Sequence, residues 1–241
     1  AGLLTARVLS NHFDRVTLLE RDAVPPGPEA RKGQPQARHL HGLLASGLNI
    51  LTRYFPDLPE ALVDGGAVVE DIAEMMQWHA YGGYRQRFQM GMKAALMSRP
   101  FLEALVRERT LKRPGVTLFD QCAVQGLQTS PDHGRVMGVR VERRGGEAQG
   151  GVIPADLVVD CTGRGSRTPQ WLAALGYAAP VESEVKVDVG YATRIFRRDP
   201  ADPRSREWVL STPEAPAETR FGGMFPVEGE RRIVSLGGWA G

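Results

Sequence analysis

The sequence predicts an α/β protein in which parallel crossover units give way to an antiparallel, sheet-rich second part. Three observations predict it. Residues 1–20 run as helix, tight turn and apolar strand ending in a carboxylate, the second half of a βαβ unit. A second apolar run, 157–160, delivers Asp160 to a loop of small, hydroxyl and basic residues ahead of a helix. From residue 185 onward, strand-like segments at 185–197, 207–211, 218–226 and 231–236 succeed one another with turns between them.

The elements follow in order. Segment 1–11 is helical, with Leu3, Leu4 and Val8 on one face, and His12-Phe13-Asp14 closes it ahead of the strand 15–20. Residues 25–35 form a turn-rich loop, and 41–54 a helix with Leu43, Leu44, Leu48 and Leu51 to one side. Strands are expected at 68–72 and within 75–89, the latter a pair turning at Gly82-Gly83. Segment 99–112 is a second helix, with Ser98 as N-cap, Pro100 in the first turn and Leu102, Leu105 and Val106 inward. Strands follow at 116–119, 123–129, 136–142 and 157–160, and Pro169-Gln170-Trp171-Leu172 opens a further helix. The first helix has neither a cap nor a preceding strand, and after the strand-like 232–236 the run 237–241 simply stops, so the chain is expected to lack both ends of a longer protein.

Composition bounds the function. Of 241 residues, 42 % are hydrophobic, enough for an ordinary core, and 30 basic against 28 acidic side chains leave a net charge of +2. That balance gives no sign of a nucleic-acid or membrane-surface partner. Cys122 and Cys161 are too few for a disulfide framework or a metal cluster, and each lies in an apolar run, as a small buried hydrophobe does. No apolar run reaches the roughly 18 residues that span a bilayer, and the opening segment lacks a basic leader and a cleavage site. A cytoplasmic protein without stable membrane insertion is expected.

Four segments carry chemistry. Gly2 and Glu20 stand 18 positions apart. In a dinucleotide fold, the last glycine of the phosphate turn and the ribose-binding acid have about that spacing. The competing reading is an ordinary crossover ending in a solvated Glu. Gln36-Ala37-Arg38-His39-Leu40-His41 is a basic loop entering a helix, and Arg38 there suits a phosphate or simply a solvated surface. His39 and His41 have no second ligand pair at metal spacing, so no metal site is expected. Arg99 occupies a first helical turn, where a cation is disfavoured unless it meets an anion or extends into solvent. Asp160 opens the fourth segment, Asp160-Cys161-Thr162-Gly163-Arg164-Gly165-Ser166, at the carboxyl end of its strand.

In this order the segments resemble the FAD-dependent monooxygenases of the aromatic-hydroxylase type, and the resemblance covers nearly the whole chain. It is nearest to a bacterial branch that epoxidises or hydroxylates polyketide and terpenoid substrates. The resemblance implies an FAD-binding, Rossmann-like domain of the glutathione-reductase type at 1–72 and 92–180. An inserted and appended antiparallel substrate sheet would occupy 73–91 and 181–241. It implies FAD as cofactor, NAD(P)H as transient reductant and a small hydrophobic or aromatic substrate. By the same resemblance Gly2 is the last fingerprint glycine, Glu20 the ribose acid, and Arg21 the second member of the usual Glu-Arg pair. Arg38 and Arg99 become cofactor contacts, Val124 meets the adenine through its backbone, and Asp160, Gly163 and Ser166 belong to a variant Asp-Gly loop. The family needs no protein nucleophile, so no catalytic residue is assigned. Trp208, Phe221, Met224 and Phe225 would face the substrate, or else form ordinary sheet core. The rivals are a flavin-dependent reductase of the same fold, a halogenase, for which a Trp-x-Trp-x-x-Ile segment is lacking, and a non-catalytic remnant retaining half a cofactor site.

Overall fold

The computed structural model describes residues 1–31, 33–143 and 150–239. Along the chain run α1 (Gly2–Leu9), β1 (Val16–Leu19), β2 (Gly42–Leu43), α2 (Ala45–Tyr54), α3 (Leu58–Asp64), β3 (Val68–Asp71), α4 (Ile72–Met75), β4 (Met76–Ala80), β5 (Gly83–Tyr84) and β6 (Lys93–Leu96). Then come α5 (Arg99–Leu111), β7 (Val116–Phe119), β8 (Cys122–Thr129), β9 (Val136–Arg143), β10 (Gly150–Pro154), α6 (Thr168–Ala174), β11 (Val189–Arg197), β12 (Trp208–Ser211), β13 (Arg220–Val227) and β14 (Arg231–Trp239). The chain divides into two compact units, Ala1–Pro25 with Arg107–Glu184, and Pro26–Val106 with Val185–Gly241.

In the first unit β1 pairs in parallel with β7, Val16 opposite Val116 through Leu19 opposite Phe119. A parallel pair needs a crossover to reach its partner. Gly115 turns the chain into β7 at φ +76°, where a Cβ would overlap the Asp14 carbonyl, so only glycine fits. Strands β8, β9 and β10 form an antiparallel meander, with a register shift between Val124 and Gly126. Its core is Cys122, Leu127, Val139 and Val141, packed by Leu19, Phe119, Trp171 and Leu172.

Two expectations fail here. Residues 157–160 form no strand, and Leu157 and Val159 stay exposed, because no described strand pairs with this run. Cys161, just beyond it, is exposed rather than buried, whereas Cys122 is a buried core residue.

Among the described residues of the second unit, β11, β14, β13, β12, β4 and β5 form one sheet in that order, and β2, β6 and β3 a smaller one. The large sheet is antiparallel except where β12 runs parallel to β4, a departure from the wholly antiparallel pattern expected. Its core joins Val68, Leu96, Trp208, Phe225, Val227 and Ile233. The β4–β5 hairpin turns at Tyr81-Gly82, with φ of 52° and 74°, one residue earlier than expected. A two-residue turn of this kind needs positive φ at both centres. Strand β6 has weak strand propensity, yet it is central, with Ala94 and Ala95 at 1 % and 0 % exposure, and burial between β2 and β3 decides it. Helix α3 was also not expected; Leu58 and Leu62, one turn apart and wholly buried, anchor it.

Candidate functional site

The first unit holds two of the four segments singled out in the sequence, that of Gly2 and Glu20 and that of Asp160, together with Val124. Helix α1 runs from Gly2 to Leu9 with no acidic residue in its first turn. A Cβ on Gly2 would lie 3.7 Å from the Cys161 Cβ and 3.8 Å from Leu18 Cδ2. The start of α1 therefore abuts both the end of β1 and the loop that follows Asp160. Thr5 Oγ1 lies 3.7 Å from the Cys161 Sγ on the same side.

That loop is organised by one carboxylate. Asp160 Oδ1 accepts the Thr162 N–H at 2.8 Å and the Thr162 hydroxyl at 2.6 Å, and Oδ2 accepts the hydroxyls of Ser166 at 2.5 Å and Thr168 at 2.6 Å. Desolvation pushes the Asp160 pKa up, but the hydrogen bonds from Ser166, Thr162 and Thr168 outweigh it and hold the carboxyl well below the usual range. Gly163 sits at φ +69° in the short 3₁₀ turn, and its carbonyl accepts the Ser166 N–H at 3.0 Å. Ser166 Oγ in turn accepts the Thr168 N–H at 3.1 Å, opening α6. The Asp160 side chain thus shapes the loop.

Glu20 ends β1 half-buried, with Oε1 accepting the Asp22 N–H at 3.1 Å. Its backbone bonds Phe119 and Cys122, which fixes the strand end beside β8. Asp120 accepts the Val24 N–H at 2.9 Å and Arg107 Nη2 donates to the Pro25 carbonyl at 2.7 Å, tying down the segment after Glu20. Arg21 is exposed, with its Nε 3.8 Å from Asp22 Oδ2. Val124 lies in β8 opposite Val141, at the register shift.

Arg38 and Arg99 belong to the second unit. Arg38 ends the 3₁₀ turn Pro35–Arg38 and is exposed. Arg99 opens α5 as expected, with Ser98 Oγ capping the Phe101 N–H at 3.3 Å and the Ser98 N–H held by Glu228 Oε2 at 2.8 Å. Its Nε is buried and has no hydrogen-bond partner among the described residues. A buried guanidinium donor left open in a first helical turn fits a negatively charged ligand. The residues present therefore fit a diphosphate cofactor such as FAD. Among the described residues no group of three or more His, Cys, Asp or Glu side chains is placed to hold a metal ion. No helix among them is long and apolar enough to cross a membrane.

Of the four sheet residues named from the sequence, Trp208 and Phe225 are core, at 3 % and 7 % exposure, and meet edge to face at 5.4 Å. Met224 is half-buried, its sulfur accepting from Arg232 Nη1 at 3.5 Å. Phe221 is half-buried in a chain of rings, 5.4 Å from Tyr191 and 6.0 Å from Trp239. The sequence reading passed over Tyr191, Trp239 and the polar contacts of His39 described below. They come together only through strand pairing.

No family model matches the chain. It is 36 % identical over 208 residues to the protein Rv3254 of Mycobacterium tuberculosis, covering 82 % of this chain and 43 % of that protein. Among solved structures it is similar to PqsL of Pseudomonas aeruginosa, described as a probable FAD-dependent monooxygenase, with a TM-score of 0.69 and 15 % identity over 98 % of this chain and 57 % of that one. PqsL is also known in complex with 2-aminobenzoylacetate. The p-nitrophenol 4-monooxygenase PnpA of Pseudomonas putida matches with a TM-score of 0.65 and 16 % identity, over 98 % of this chain and 54 % of its own. The chain spans about half the length of these relatives. The likeness extends across both units, and the chain has the fold of the FAD-dependent monooxygenases of the aromatic-hydroxylase type.

Proposed function

We propose that the chain forms part of an FAD-dependent monooxygenase that uses NAD(P)H and O₂ to hydroxylate or epoxidise a small hydrophobic or aromatic molecule. One observation carries the reading: the Gly2 end of α1 lies against both β1 and the loop organised by Asp160. It lies within a fold shared with two FAD-dependent or phenol-oxidising enzymes. When bound, FAD would supply the redox chemistry, taking hydride from NAD(P)H so that one oxygen atom of O₂ goes to the substrate and the other to water.

The chain's own residues bind and orient. The N–H groups at the start of α1 donate to a cofactor phosphate, and Gly2 keeps that approach open. Glu20 accepts from ribose hydroxyls, Arg21 follows it toward solvent, and Val124 offers its backbone to the adenine. Asp160 holds the loop whose Gly163 and Ser166 face the cofactor. Arg99 gives the open Nε–H to an anion, and Arg38 adds a second cationic contact. We further assign cofactor binding to residues 1–72 and 92–180, the substrate side to 73–91 and 181–241, and a cytoplasmic location to the protein.

The test is an absorbance spectrum of the full-length protein. Flavin bands that heat releases as FAD, followed by NAD(P)H-dependent oxygen uptake, are the expected result. A folded, colourless protein that ignores added FAD would overturn the reading. FAD reduction without substrate-dependent oxygen incorporation would turn it into a reductase.

A further inference from the structure

The second unit contains a polar chain that the fold does not need for its core. The Leu40 N–H donates to Ser235 Oγ at 3.3 Å, Ser235 Oγ lies 2.7 Å from Thr193 Oγ1, and Thr193 Oγ1 lies 2.8 Å from His39 Nδ1. Thr193 and Ser235 are directly opposed across β11 and β14, so strand register holds the two hydroxyls together.

A backbone N–H can only donate, so Ser235 accepts there; between Ser235 and Thr193, and between Thr193 and His39, either atom can be the donor. When Ser235 donates onward, Thr193 donates to His39 Nδ1. In the neutral ring Nδ1 accepts and the hydrogen sits on Nε2. His41 is set the opposite way, because its Nδ1 lies 2.9 Å from the His39 carbonyl, which can only accept. Nε2 of His39 meets no partner among the described residues. With Nδ1 accepting from Thr193, Nε2 carries the hydrogen and is open to a ligand.

What lies beside that donor is aromatic. The His39 ring is 5.9 Å from Tyr191, which leads to Phe221 at 5.4 Å and on to Trp239 at 6.0 Å. Phe221 lies over Gly237, where a Cβ would overlap its ring, so glycine lets the aromatic lie low on the sheet. Tyr191 keeps 58 % of its surface exposed. These rings are tilted or edge-on to one another, at 51°, 73° and 34°, and an exposed ring edge beside a ring N–H suits an aromatic molecule with an acceptor oxygen at its edge.

We propose that His39 is a specificity-determining residue, donating from Nε2 to a carbonyl or ionised hydroxyl oxygen of a planar aromatic substrate seated on Tyr191 and Phe221. This deepens the monooxygenase reading and rests on it for the word substrate. Thr193 and Ser235 are positioning residues, which set the ring's tautomer without touching the ligand.

The test uses the full-length protein, with and without added FAD, and two probes of matched shape: 4-nitrophenolate, whose binding is read by its visible absorbance, and nitrobenzene, which lacks the oxygen. Wild-type protein is expected to prefer 4-nitrophenolate by about tenfold or more, the factor a hydrogen bond to a charged oxygen contributes. His39→Leu should erase that preference while nitrobenzene binds as before. Thr193→Val should weaken it and Thr193→Ser should keep it. In ¹⁵N spectra the His39 ring should carry its hydrogen on Nε2, and Thr193→Val should lose that bias. Unchanged selectivity in His39→Leu, or an Nδ1–H ring in the wild type, overturns the proposal. If FAD fails to bind while selectivity follows His39, the flavoprotein reading falls and the His39 site stands. If FAD binds and selectivity is absent, the reverse holds.

Discussion

Two of the side chains proposed to serve the cofactor differ in what their replacement would do. Asp160 spends both oxygens on loop donors, so its replacement is a structural event first. Asp160→Ala leaves Thr162, Ser166 and Thr168 to solvent, and an exposed network of this kind contributes about 1 kcal/mol after screening. A fall in Tm of roughly 2–4 °C is expected, measured by calorimetry. Because its pKa is lowered in the folded state, the stabilisation is present at neutral pH. It is lost as pH falls below the unfolded value of about 3.9. An acid titration of unfolding should show that loss in the wild type and a smaller one in Asp160→Ala. Arg99 behaves oppositely. Its open Nε costs the ligand-free protein, so Arg99→Leu should leave stability unchanged or raised while weakening FAD binding by tenfold or more. Equal FAD affinity in that variant, measured by fluorescence titration, would remove Arg99 from the site. Asp71 shows how similar chemistry serves architecture alone. Burial raises its pKa, but N–H groups of Met90, Gly91, Ala73 and Glu74 lower it further, and the carboxylate ties β3 and α4 to the segment before β6.

At the scale of elements, the helices and turns carry distinct vulnerabilities. Helix α3 has only seven residues and is held by Leu58 and Leu62, both at 0 % exposure. Leu62→Ala should cost about 2–5 kcal/mol, read as a lowered denaturation midpoint, because the cavity cannot collapse around so short a helix. Gly115 is constrained by backbone rather than by side chains. Gly115→Ala forces both a positive φ and an overlap with the Asp14 carbonyl, and a loss of about 2–4 kcal/mol is expected in urea unfolding. Gly2→Ala is the contrasting case, since its Cβ would meet ordinary van der Waals distances. That variant should fold normally, and any loss of FAD affinity would then report on the approach of the cofactor itself. The β4–β5 hairpin marks the limit of local reading: Gly82-Gly83 announced a turn, but the strand register placed Tyr81-Gly82 at its centre.

For the molecule as a whole, ligand linkage is the broadest test. A cofactor bound only by the folded state adds about 2.7 kcal/mol at a hundredfold excess over its Kd, so FAD should raise the Tm of the full-length protein in a concentration-dependent way. What the sequence determined by itself was the local grammar: the helix–turn–strand of α1 and β1, the capped start of α5 at Ser98, and the placement of β7, β8, β9 and β11 to β14. Periodicity, capping and turn chemistry act over a few residues, so they can be read from a few residues. Tertiary structure decided what those signals do not contain. It made a strand of the alanine-rich β6 by burying it, and it left 157–160 out of any strand for want of a partner. It sent Trp208 and Phe225 to the core but Phe221 to an open ring face. It also joined His39, Thr193 and Ser235, residues up to 196 positions apart, into one hydrogen-bond chain. Such contacts depend on which strands pair and in what register, a property of the whole chain that no short segment encodes.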